Sequence, residues 1–183
     1  MVELLRTLVG ARLTRLVRYS WWPKEAVSNE CSIAPVAAFS LTAGPLALAF
    51  EDRYTLGVAS DPSQNSVIVW MDRDAEGTAR KSPAMDEDPE IYPIQASERE
   101  FSEAHWATLL NASLSGVSIL RARPSNVLKS QLPNEVGMLL HFGEHGDLLA
   151  GHGLHDGSDD FAVLRSDQVE SEVWQQLEKV PLF

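Results

Sequence analysis

The chain has a single cysteine, Cys31, among 183 residues, so no intramolecular disulfide can form. Small secreted domains lean on disulfides, and their absence favours a reducing cytoplasm. Long apolar runs are also missing. Nothing approaches the ~20 residues needed to span a bilayer, so no transmembrane helix is expected. The first 22 residues scatter arginines through apolar positions and lack both an uninterrupted apolar core and a small-residue cleavage site, unlike a secretory signal. Positive charge is scarce as well: 15 Lys and Arg against 26 Asp and Glu give a net charge of −11. That balance argues against nucleic acid, whose phosphates require clustered cations, and against anionic membrane surfaces. Residues 1–24 hold +4 of the charge, which leaves −15 on the remainder. An acidic body keeps a protein dissolved and steers it toward basic partners.

What is present is a chain of ordinary globular composition, 44% hydrophobic and 22% charged. Its length suits one domain, 1–183. Residues 2–9 have the spacing of a short amphipathic helix that Gly10 can end. Residues 11–22 alternate, with Leu13, Val17, Tyr19 and Trp21 against Arg12, Thr14, Arg18 and Ser20, as in a strand with one wet face. Residues 33–41 suggest a strand weakened by Pro35. A hairpin is expected over 45–50 and 55–60, followed by a strand at 66–71. Residues 73–101 make an acidic connecting loop. Ser102 fits a helix N-cap for a helix reaching about Leu110. Further strands are expected at 112–121, 136–142, 147–152 and 160–164, and a closing helix at 168–179 has Val169, Val173, Trp174 and Leu177 on its apolar face.

The halves resemble each other. Thr7-Leu8-Val9-Gly10-Ala11-Arg12-Leu13-Thr14 parallels Thr108-Leu109-Leu110-Asn111-Ala112-Ser113-Leu114-Ser115 at an offset of 101. Leu46-x-Leu48-x-Phe50 followed by Leu56 parallels Met138-x-Leu140-x-Phe142 followed by Leu148 at an offset of 92. Two pseudo-repeats, about 2–72 and 102–165, share the order helix, strand, long loop, hairpin, turn, strand. The expected fold is therefore α+β, with a mostly antiparallel sheet of about eight strands and a C-terminal helix. The repeat also gives the N-terminal arginines a place on a strand and removes the need to read them as an organellar address.

Four of the five histidines lie in 139–160, a stretch also rich in acids. A three-residue loop at Glu144-His145-Gly146 sets Phe142 opposite Leu148, Leu140 opposite Ala150 and Met138 opposite His152. His141 then falls on the other face beside Asp147, His145 at the turn tip, and His152 at the end of the apolar face. Zinc needs converging ligands, and this register disperses them, so no metal or cofactor is expected. Zinc-protease, calcium-loop and phosphate-loop spacings are all missing. His155 with Asp156 or Asp159 has the makings of a base and an orienting acid, but no nucleophile accompanies it beyond Ser158. Cys31 has no CxxC partner. Trp21-Trp22 has the makings of an aromatic platform for a ligand or partner, but the stronger expectation is core packing for one and partial exposure for the other.

An acidic pI near 4.8, no signal, no recognisable catalytic motif, one α+β domain and exposed acidic loops together resemble the small cytosolic immunity proteins that neutralise bacterial toxins. NSVIVWMD (65–72) and GLHDGSDDFAVL (153–164) are the stretches most like family signatures. The resemblance implies a non-enzymatic, stoichiometric inhibitor that occludes a toxin, often a basic nuclease. Its contact set would be Asp86, Glu87, Asp88, Glu90, His155, Asp156, Asp159 and Asp160. The competing expectation is a small enzyme or ligand-binding protein that works through loop 151–160.

Overall fold

Alternating apolar residues make the two hairpins around which everything else is laid. A computed structural model describes residues 2–81, 83–155 and 160–183. In the first half, β1 (Leu13–Ser20), β2 (Leu46–Phe50), β3 (Thr55–Asp61) and β4 (Ser66–Arg73) follow one another as antiparallel neighbours. A fifth strand, β5 (Tyr92–Gln95), pairs with the other side of β1. In the second half, β6 (Gly116–Ala122), β7 (Gly137–His141), β8 (Asp147–His152) and β9 (Phe161–Leu164) do the same, and β10 (Leu177–Pro181) closes on β6. The α+β class holds, but ten described strands form two five-stranded antiparallel sheets where a sheet of about eight was expected. The strands that sequence periodicity did not supply are β5 and β10.

The two sheets have one connectivity: β4-β3-β2-β1-β5 and β9-β8-β7-β6-β10. Registers agree too. Leu48 faces Leu56 in the first hairpin, and Leu140 faces Leu148 in the second, both pairs separated by the offset of 92. The expected three-residue loop is thus corrected by two residues. The connection runs 142–146 through a 3₁₀ turn, Gly143–His145, with Gly146 at φ 99°. A two-residue shift preserves which face each side chain occupies.

The sheets are joined where the repeats begin. Arg12 bridges Ser113, its counterpart at the offset of 101. Around that bridge the Leu13 N–H donates to Ala112 O at 3.0 Å and the Leu114 N–H donates to Ala11 O at 3.0 Å. Likewise the Gly10 N–H donates to Leu114 O at 2.8 Å and the Asn111 N–H donates to Leu13 O at 2.7 Å. Each bond is the counterpart of its partner, so the two halves meet about a local two-fold. Gly10 and Asn111 also share a left-handed backbone, φ 84° and 67°, which these residue types tolerate best. They follow the short helices α1 (Val2–Arg6) and the one at Ala104–Thr108, whose Leu5 and Trp106 are buried at matching positions.

Inner faces of both sheets fill one core: Leu16, Leu48, Leu56 and Val58 from one, and Val117, Leu140, Leu148 and Val163 from the other. Arg18 points into this seam and is fully buried, contrary to its expected place on a wet face. Its Nη2 donates to Phe161 O at 2.6 Å and to Thr42 O, and its guanidinium lies 4.3 Å from the Phe161 ring centre. Nε and Nη1 have no hydrogen-bond partner among the described residues. Burial lowers the Arg18 pKa to about 9. The residue ties sheet to sheet with no carboxylate paired to it among the described residues.

Other expectations are corrected by tertiary contacts. Residues 33–41 form a 3₁₀ turn, Pro35–Ala37, and a one-turn helix, Ala38–Leu41, which follow a helix at Lys24–Glu30 and bury Phe39. Proline lacks a ladder donor but suits a helical first turn. Ser102 is not the cap, because Glu103 occupies that position and the buried Ser102 hydroxyl has no hydrogen-bond partner among the described residues. The strand expected at 112–121 starts only at Gly116, since 111–114 is committed to the join. The closing helix is limited to Ser171–Trp174, and the chain then turns into β10. In chain order the remaining helices are α2 (Lys24–Glu30), α3 (Ala38–Leu41), α4 (Ala104–Thr108) and α5 (Ser171–Trp174). Among the described residues, no helix is long and apolar enough to cross a membrane.

The Arg18 tie makes a prediction for chemical denaturation. Arg18→Ala leaves a cavity and two unbonded carbonyls, and should cost on the order of 3 kcal/mol. Arg18→Met fills the space without a charge, and should fall within about 1.5 kcal/mol of the parent.

Candidate functional site

The outer face of the first sheet carries the site. In strands β3 and β4 the residues that alternate with the core set point outward, which places Ile68 and Trp70 on this face. Gly57, opposite Trp70, supplies the room: any Cβ there would run into the indole ring at Cε2 and Cζ2. The chain at 83–91 folds across the same face, where Met85 and Ile91 pack on Val17, Tyr19 and Ala47. Desolvation in this layer pushes the Tyr19 hydroxyl up to about 12.

Arg73 anchors that crossing segment. Its Nη2 reaches Asp86 Oδ1 at 2.5 Å and Glu87 Oε1 at 2.6 Å, and Arg15 stands 3.8 Å from the second Asp86 oxygen. Asp72 accepts the Met85 N–H at 3.2 Å. Partial burial pushes the Asp86 carboxyl up, but the hydrogen bond and charge of Arg73, with Arg15, outweigh it and leave Asp86 below the usual carboxylate value. Asp86 and Glu87 therefore hold the segment in place.

Between the crossing segment, β3–β4 and the chain at 43–45 lies a groove of about 430 Å³. Trp21, Ile68, Trp70, Ile91 and Phe161 give it apolar and aromatic walls, and Asp88 and Asp160 sit on its lining from opposite halves of the chain. Lys81 also lines it, with Nζ 5.0 Å from the Trp70 ring centre. Asp88 Oδ1 accepts the Glu90 N–H at 2.9 Å, which shapes the rim, and Glu90 itself is exposed. A smaller neighbouring pocket of about 280 Å³ shares Ala43, Asp160 and Phe161 with the groove, and adds Cys31 and His155. Of the eight expected contact residues, Asp88 and Asp160 meet in the groove and His155 adjoins it. Asp86 and Glu87 face Arg73, Glu90 is on the surface, and Asp156 and Asp159 lie outside the described residues.

The histidines are spread out. His141 Nδ1 pairs with Asp147 at 2.8 Å and its Nε2 meets Ser118 Oγ at 3.2 Å. His145 is in the hairpin turn. His152, only 2% exposed, has Nδ1 2.7 Å from Ser60 Oγ. Ser60 and His152 are counterparts at the offset of 92, so this bond also lies on the local two-fold. Among the described residues, no three His, Cys, Asp or Glu side chains are grouped to hold a metal.

Sequence reasoning weighed Trp21-Trp22 as an aromatic platform but preferred a core place for one of them. Trp21 and Trp22 are both well exposed, at 53% and 45%, against the expectation that one would join the core. Strand β1 ends at Ser20 and Pro23 caps the helix that follows, so both tryptophans lie beyond the sheet. A further apolar pair, Val127 and Leu128, is 76% and 78% exposed on the loop between β6 and β7.

Comparison of the chain with protein-family models, with curated proteins and with solved structures gives no match.

The Arg73 anchor predicts an acid response. Because the folded pKa of Asp86 is depressed, its contribution is complete above the unfolded carboxylate value and is lost as pH falls through the folded one. Urea midpoints measured from about pH 7 to about pH 3 should show Asp86→Asn below the parent at neutral pH, with the two curves converging in acid. Parallel curves would contradict the anchor.

Proposed function

We propose that this is a non-enzymatic binding protein of the immunity type, which neutralises a basic bacterial toxin by lying across its working surface. One observation carries the reading: the fold brings Asp88 and Asp160 to the lining of one aromatic groove. Exposed tryptophan beside carboxylates combines an apolar anchor with charge that selects a basic partner. The net charge of −11 acts in the same direction at longer range and discourages nucleic acid and anionic membranes as partners. Inhibition of this kind is stoichiometric and needs no cofactor. A cytoplasmic site of action belongs to the same proposal. So does a duplicated origin for the two halves, which the matched registers and reciprocal bonds of the join support.

An enzyme working through loop 151–160 is favoured by a different observation. Ser60 lines the groove and bonds to the buried His152, a pairing of hydroxyl and base found in acyl transfer. A fluorophosphonate probe separates the two readings. Under the binding reading Ser60 is not labelled, and labelling that Ser60→Ala removes would favour the enzyme.

The binding reading expects the neighbouring gene to encode a basic toxin that forms a one-to-one complex with this chain. Association measured by surface plasmon resonance should slow at least about tenfold between roughly 0.05 M and 0.5 M salt. Asp88→Asn combined with Asp160→Asn should slow it several-fold, whereas Glu87→Gln, on the anchor, should leave it near the parent rate. Rates indifferent to salt and to the groove pair would contradict the proposal.

A further inference from the structure

We infer that the outer edge of β4 takes up a short extended segment of the partner protein as an added strand; this rests on the binding reading above. The Val67 N–H donates to Glu135 O at 2.8 Å, away from β3, so Val67 faces the edge while Ile68 and Trp70 face their β3 partners Ala59 and Gly57. Backbone groups alternate sides along a strand, so Val69 faces the edge again. Met71, opposite Leu56, does so too, just before the bulge that sets Arg73 opposite Thr55. Neither of these two residues takes a backbone partner from another segment among the described residues.

Both ends of this edge are closed by extended backbone of the chain itself. Glu135 holds one end. At the other, Ala79 bridges Arg73, the Arg80 N–H donates to Asp72 O at 2.8 Å and the Asp74 N–H donates to Thr78 O at 3.0 Å. The gap between them, residues 68–71, is about four residues or roughly 13 Å of strand. In the second half the equivalent edge is sealed, because β9 packs on α3 and Arg18 donates to Phe161 O. The connection that stands in the same place for β4 has only a 3₁₀ turn, Lys129–Gln131, and leaves Val127 and Leu128 exposed. The gap also lacks the devices that keep sheet edges apart. Ile68-Val69-Trp70-Met71 holds no charge and no proline, whereas the edge strand β10 holds Glu178, Lys179 and Pro181.

Alternating main-chain donors and acceptors select an extended peptide backbone, which carries the complementary groups at the same spacing. A second copy of this chain does not fit, because its own β4 would arrive with the Glu135 and Ala79 segments lying along the pairing edge. The occupant is therefore a loop or tail of a different protein, with an apolar or β-branched residue beside Ile68 and Trp70. Those two side chains also line the groove, so the added strand and the groove form one footprint.

Amide hydrogen exchange on the full-length, ¹⁵N-labelled protein tests this. In the free chain the Val69 and Met71 N–H groups should exchange at least about tenfold faster than those of Ile68 and Trp70. Equal protection of all four would show a closed edge and overturn the inference. The probe is the peptide acetyl-Lys-Val-Thr-Val-Thr-Val-Lys-amide, with a dissociation constant expected in the millimolar range. At about 10 mM it should slow Val69 and Met71 about fivefold, and the same peptide N-methylated from its first valine to its last should not. Val69→Pro removes the outward N–H and spares the β3 ladder, so it should keep the protection of β2 and β3 and lose the peptide. Met71 in the parent chain decides the matter independently of that variant. Unchanged exchange at about 10 mM peptide, or an equal effect of the methylated peptide, would overturn the inference. Slowing produced by concentrating the protein alone would assign the edge to a second copy and overturn it equally. Failure of the broader reading looks different. If the basic product of the neighbouring gene binds while Val69 and Met71 exchange as before, the strand site falls and the immunity reading stands. If the peptide pairs with the edge but the neighbouring gene product does not bind at all, the site stands and the immunity reading falls.

Discussion

The antiparallel join between residues 10–13 and 111–114 is the constraint on which the rest of the structure depends. Each five-stranded sheet has an apolar inner face that it cannot bury alone, and the join fixes how the two faces meet. Because its hydrogen bonds come in reciprocal pairs, it imposes a local two-fold. Counterpart residues are then forced together on the axis, first Arg12 with Ser113 and, across the sandwich, Ser60 with His152. The second contact has a structural explanation before any chemical one. Arg18 is where symmetry stops: its counterpart is Ile119, and only the first half sends a cation into the seam.

The groove arises from the same asymmetry. The β1–β2 connection contains two helices in the first half and only a loop with one 3₁₀ turn in the second. The segment between β4 and β5 likewise crosses the outer face of its sheet, held by Arg73. These two connections, with the exposed faces of β3 and β4, supply most of the groove lining. Repeated elements thus make the core, and unrepeated ones make the surface that can recognise something.

How much of this the sequence disclosed depends on the element. Both hairpins were legible from alternation, as were the strand at 66–71 and the offset between halves. The second hairpin was misregistered because Gly146 suggested a short loop, although the first hairpin, at the offset of 92, already held the right answer. Strand β10 was hidden because Val169, Val173, Trp174 and Leu177 keep helical spacing. In the fold only Val173 and Trp174 share a helical turn; all four side chains pack in the second apolar cluster, and the chain is drawn at Leu177 to the open edge of β6. Strand β5 was lost in an acidic loop for the same reason, an edge on β1 that only tertiary structure reveals. At the site, the acids were visible but their fates were not. Nothing in Asp86-Glu87-Asp88 tells which carboxylates face an internal arginine and which face a groove. Arg18 illustrates the limit most sharply, since alternation placed it in water.

We propose that recognition belongs to the unrepeated segments on the outer face of the first sheet. Hydroxyl-radical footprinting of the protein, alone and in complex with the basic product of the neighbouring gene, tests this directly. Protection should concentrate on Trp21, Ile68 and Trp70, with Val127 and Leu128 as reactive as in the isolated chain. Protection of Val127 and Leu128 with the tryptophans still fully reactive would contradict the account.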